Sequence, residues 1–85
     1  MKKFNYIIKD QIGIHARPAG LLVKMVQKFQ SVVTIECKGK STDAKKLMAV
    51  LSMGIKCGDE VTVIMEGNDE EQVHKELYQY FCEQL

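Results

Sequence analysis

Eighty-five residues, 46% apolar and 27% charged, fit one water-soluble globular domain, 1–85, with a single small core. No apolar run approaches the ~20 residues of a membrane-spanning helix, and Met1-Lys2-Lys3 leads into Phe4-Asn5-Tyr6 with no apolar signal-peptide core, so the expected location is the cytoplasm. The net charge of +1 hides a lopsided distribution: residues 1–58 hold eleven Lys/Arg against three Asp/Glu, and residues 59–85 hold one against eight, which points to a negatively charged partner near the front.

Phe4, Tyr6 and Ile8 alternate with Asn5, Ile7 and Lys9, so Lys3 to Lys9 reads as a half-buried strand. Gln11 to Ile14 is a loop. Pro18, with its fixed φ and no N–H, belongs in the first turn of a helix and so places the helix start at about Ala16. Ala19, Leu22, Val23, Val26 and Phe29 then form a core-facing stripe, with Leu21 and Met25 off it. Val32 to Cys37 is a β-branched strand, Lys38-Gly39-Lys40 a turn, and Lys40 to Thr42 its hairpin partner. Asp43 or a neighbour is expected to cap a short helix running to about Ser52, closed by Gly54 in a left-handed conformation. Glu60 to Glu66 alternates as a fourth strand, and Asn68 or Asp69 is expected to cap a last helix buried through Val73, Leu77, Tyr80 and Phe81. His74 reads as an exposed surface residue without a role.

The resulting order is β-α-β-β-α-β-α, an α+β fold with three helices on one face of a four-stranded, mainly antiparallel sheet. Three widely spaced cysteines, without a Cys-x-x-Cys pair, give no metal site and suggest free thiols; Cys37 and Cys82, in apolar elements, are expected to be buried. Scattered lysines without interleaved aromatics disfavour nucleic acid.

The chemistry concentrates in Gly13-Ile14-His15-Ala16-Arg17-Pro18-Ala19-Gly20. His15 falls at or near the helix N-cap, where free N–H groups and the positive end of the helix dipole converge. An anion carried by its ring would meet those donors and the Arg17 guanidinium, which can bind phosphate in bidentate fashion. Small residues at Ala16, Ala19 and Gly20 leave the face open to a partner.

This octapeptide resembles the phosphorylation-site signature of the HPr family, the histidine phosphocarriers of the bacterial phosphoenolpyruvate-dependent sugar phosphotransferase system, and the order of elements resembles that family's open-faced β-sandwich along the whole chain. The resemblance implies a stoichiometric carrier, not an enzyme, that needs no cofactor and no metal and works as a monomer. It implies that His15 accepts a phosphoryl group on Nδ1 from enzyme I and passes it to the IIA domains of sugar permeases. Arg17 would neutralise the phosphoryl charge, the backbone amides of Ala16 and Arg17 would bind it, and partners would dock on Gly20, Leu21, Lys24, Leu47, Met48 and Leu51. One position departs from the pattern: many family members carry a kinase-regulated serine where this chain has Lys46. An alternative on the same fold is a regulatory docking module that binds a regulator or kinase; the joint presence of His15 and Arg17 favours the carrier, since a pure binder needs neither.

Overall fold

The elements run β1 (Lys2–Ile7), α1 (Ala16–Gln27), β2 (Val32–Cys37), β3 (Lys40–Asp43), α2 (Leu47–Ser52), β4 (Glu60–Glu66) and α3 (Glu70–Gln84) in a computed structural model that describes residues 1–85. β1 begins and ends slightly earlier than its alternation suggests: the ladder stops at the Ile7–Glu60 pair, while Ile8 beyond it is still buried. The four strands stand in the order β1-β4-β2-β3, every neighbour antiparallel. β1 and β2, joined through α1, therefore flank β4 in a split β-α-β arrangement.

Strand alternation decides which side is covered. Phe4, Val33, Ile35, Cys37, Val61, Val63 and Met65 are buried on one face, while Asn5, Ile7, Val32, Glu36 and Glu66 on the other are exposed. The three helices pack over the buried face, leaving the other open. α1 contributes Ala19, Leu22, Val23 and Val26, α2 contributes Val50, and α3 contributes Val73, Leu77, Tyr80 and Phe81. Full burial of a side chain such as Leu22 or Phe81 stabilises by about 1.5–3 kcal/mol. Phe29 extends the α1 stripe past the end of the helix and is only half-buried. The β2–β3 hairpin turns through Lys38 and Gly39, at φ 54 and 79, the mirror-image geometry that matches strand twist.

Three expectations need correction, and a fourth is met in position with a different use of the side chain. Cys82 is exposed, although Cys37 is buried and its thiol pushed up by burial; the stripe of Val73, Leu77, Tyr80 and Phe81 advances about 100° per residue and leaves Cys82 outside. His74 is half-buried, its ring edge-on to Phe4 with centroids 5.5 Å apart and stacked on Tyr78 one turn later. Asp43 ends β3 and takes the N–H of Lys45 at 2.9 Å, so the N-cap of α2 is Lys46, which offers no side-chain acceptor. Asp69 is the N-cap of α3 as expected, but its carboxylate reaches across to the connection between α1 and β2, accepting the N–H groups of Gln30 and Ser31 at 2.8 and 3.0 Å and the Ser31 hydroxyl.

Candidate functional site

His15 is delivered by a loop that is bonded at several points. Gly13 has φ +82 and lies so close to the segment after α2 that a Cβ there would stand 2.5 Å from the Ile55 carbonyl oxygen and 2.7 Å from the Lys56 Cα. Glycine is required on both counts. Its N–H donates to the Asp10 carbonyl at 3.0 Å, and the N–H of the buried Ile14 donates to the Ile55 carbonyl at 3.0 Å. The chain reaches His15 extended, φ −122 and ψ −176, and turns into α1 as the His15 carbonyl accepts the Ala19 N–H at 2.9 Å.

The expected N-cap is thus occupied by His15, and its ring caps nothing. The first-turn N–H groups of Ala16 and Arg17 have no intrahelical acceptor, and Pro18 has no N–H to place. Pro18 is buried, and its carbonyl accepts the hydroxyl of Tyr80 at 2.8 Å, fastening the first turn of α1 to α3. Burial pushes the Tyr80 phenol up, which keeps it a donor.

A hollow of ≈490 Å³ opens at this helix start, lined by Asp10, His15, Arg17, Pro18, Leu21 and Gln84. His15 is half-buried in it and Arg17 is exposed, outside both of the molecule's ion pairs. Arg17 and Leu21 are shared with a second groove of ≈560 Å³ between α1 and α2, whose other walls are Gly20, Val23, Lys24, Gln27 and Leu47. Five of the sequence-chosen residues, Arg17, Gly20, Leu21, Lys24 and Leu47, therefore form one surface with His15. Leu21 is 51% exposed and Met48, next to Leu47 in α2 but not a wall of the groove, 72%. Leu51 differs: it is half-buried and packs against the core, so only part of it is on offer to a partner.

Sequence reasoning missed Asp10, Gln27 and Gln84. Gln27 had a signal, since Gly20, Lys24 and Gln27 recur at i, i+4 and i+7 on one helix face; its side-chain amide donates to the Lys45 carbonyl at 3.0 Å and ties α1 to the approach of α2. Asp10 and Gln84 come together only because the main-chain oxygen of Leu85 accepts the N–H groups of Lys9 and Asp10.

Beside this geometry stands the comparison with known families: the model of the phosphotransferase-system HPr component phosphorylation site matches residues 2–83. The chain belongs to the HPr family. It is 43% identical over 79 residues to the phosphocarrier protein HPr of Mycoplasma capricolum, covering 93% of this chain and 89% of that one. Among solved structures it resembles a histidine-containing phosphocarrier protein of Mycoplasma (TM-score 0.91, 42% identity, 93% and 90% coverage). An HPr from Thermoanaerobacter tengcongensis is similar as well (TM-score 0.90, 38% identity, 95% and 91% coverage). The expected open-faced fold and the phosphocarrier role in the phosphotransferase system hold for this HPr-family chain. No helix in it is long and apolar enough to cross a membrane.

Proposed function

We propose that His15 is the phosphoryl carrier of this chain, taking the group from enzyme I onto Nδ1 and giving it to the IIA domains of sugar permeases. In charging, the ring nitrogen's electron pair attacks phosphorus, and the donor's bond to phosphorus breaks with the pair returning to the donor. The observation that carries this reading is the side chain of His15: it sits at an N-cap without capping, beside the unpaired amides of Ala16 and Arg17 and the free Arg17 guanidinium. Each donor contributes modestly, a helix end about 0.3–1 kcal/mol where exposed, and such weak holding suits a group that must be released. The hollow is open and shared with a docking groove, so the partner supplies the rest of the catalysis and the chain itself is a stoichiometric carrier, monomeric and cytoplasmic. Gly20, Leu21, Lys24, Leu47, Met48 and the exposed part of Leu51 form the surface that enzyme I and the IIA domains would cover in turn.

Intact-mass measurement after incubation with phosphoenolpyruvate and enzyme I tests this. One acid-labile phosphoryl group is expected on the wild type, none on His15→Ala, and a severely slowed transfer in Arg17→Ala. A folded protein left unmodified by an enzyme I from the same organism would overturn the carrier role of His15 and favour a regulatory docking module.

Lys46 removes the hydroxyl that a serine kinase would need at the start of α2. Ser52 is no substitute, because its hydroxyl donates to the Met48 carbonyl at 2.7 Å within the helix. Incubation with HPr kinase and ATP is expected to leave the chain without phosphoserine; efficient serine modification, read by mass, would refute this.

A further inference from the structure

We infer that the Asp10 carboxylate is an electrostatic counterweight in the His15 hollow that keeps the phosphoryl group easy to give away; the inference rests on the reading that His15 carries that group. Of the polar side chains lining the hollow, the His15 ring, the Arg17 guanidinium and the Gln84 amide can all face an anion favourably. Asp10 is the one anionic wall. Its place is fixed by the loop and not by a cation. A carboxylate oxygen accepts the Ile12 N–H at 2.9 Å, the Asp10 N–H donates to Leu85 at 2.8 Å, and its carbonyl holds the Gly13 N–H. Neither of the molecule's ion pairs involves it.

Charging His15 brings roughly two negative charges into the space beside this carboxylate, as a phosphoryl group on a side chain does near neutral pH. The hollow, though open, measures only ≈490 Å³, and the screening length at physiological salt is about 8 Å, so the repulsion across it is only partly damped. Arg17 and the first-turn amides lower the energy of the charged form, and Asp10 raises it. On discharge an acceptor nitrogen attacks phosphorus, the P–N bond to His15 breaks, and the electron pair returns to the ring. The counterweight favours that direction. A site walled only by cations and amides would load readily and unload poorly.

The test uses the full chain with Asp10→Asn and Asp10→Ala. Asparagine removes the charge but keeps an oxygen for the Ile12 N–H, whereas alanine removes both. Each protein is equilibrated with enzyme I, phosphoenolpyruvate and excess pyruvate, and the ratio of phosphorylated to free protein is read by intact mass. Both variants should raise this ratio about two- to tenfold over wild type, and the increase should shrink at about 1 M salt, where the screening length is near 3 Å. An unchanged ratio in Asp10→Asn, or a shift confined to Asp10→Ala, would overturn the inference and leave Asp10 a turn residue only. If the wild type itself takes no phosphoryl group from a competent enzyme I, the reading of His15 falls and this inference falls with it.

Discussion

The starts of α1 and α3 lie at opposite ends of the sheet, because the strands leading into them, β1 and β4, run antiparallel. At the start of α3 the polar groups are spent on the protein itself. Asp69 collects two N–H groups and a hydroxyl from Gln30 and Ser31, and Glu70 accepts the Gly67 N–H at 3.1 Å and pairs with the terminal ammonium of Met1 at 2.9 Å. At the start of α1 there is no acidic residue in the first turn, and the N-cap side chain accepts nothing. Neither helix start has a side-chain cap, yet the two corners differ in what surrounds them: at one, carboxylates bind neighbouring segments and hold the fold, and the other is left open and can receive an anion.

Breaking the supports of the open corner should have the largest effect. Gly13→Ala places a Cβ at φ +82 against the Ile55 carbonyl, and urea unfolding should show a loss of about 3 kcal/mol or more. Phosphoryl uptake should fall with it, since the same loop delivers His15. At the closed corner, Asp69→Ala leaves the buried Ser31 without its acceptor, so the unfolding midpoint should drop by roughly 5 °C or more while uptake in the folded protein persists.

Acid sharpens the same contrast. The Ser31 hydroxyl first, and then the Gln30 N–H, hold the Asp69 carboxyl below its ordinary range. Its contribution to stability is therefore complete above the unfolded carboxylate value of about 3.9 and disappears as pH falls through the lower folded value. Wild type and Asp69→Asn should differ in midpoint at pH 7 and converge below about pH 4; a constant gap across that window would refute the assignment.

Smaller effects follow at the edges of the open corner. Tyr80→Phe removes the hydroxyl that holds the Pro18 carbonyl and should lower stability by about 1 kcal/mol by denaturant titration. Lys46→Ser supplies the missing cap of α2 and should raise stability by about 0.5–1 kcal/mol, a gain of a few degrees in midpoint.

What was legible in the chain follows from how local each cause is. Pro18 fixed the start of α1 and with it the position of His15, because a proline ring restricts its own turn whatever packs around it. The strands were legible in the alternation of Val61, Val63 and Met65 with Thr62 and Ile64, a period set by the backbone. The exposure of Cys82 is legible in the same way, since the helical period that picks out Phe81 excludes its neighbour. Asp69 was not so readable. Its cap position was visible, but the donors it serves, at Gln30 and Ser31, are brought to it only by the pairing of β2 with β4. The same holds at the site: His15 and Arg17 declare themselves within one octapeptide, whereas Asp10 and Gln84 meet the hollow only once α3 has docked.

The main-chain oxygen of Leu85, bonded to both Lys9 and Asp10, also gives the molecule a clock. The last turn of α3 cannot fray without releasing the loop that presents His15, so the two should open as one cooperative unit. In deuterated water, the amide protons of Lys9 and Asp10 would then be lost at the pace of α3's end, and any ligand that slowed their exchange would be felt along that helix as well.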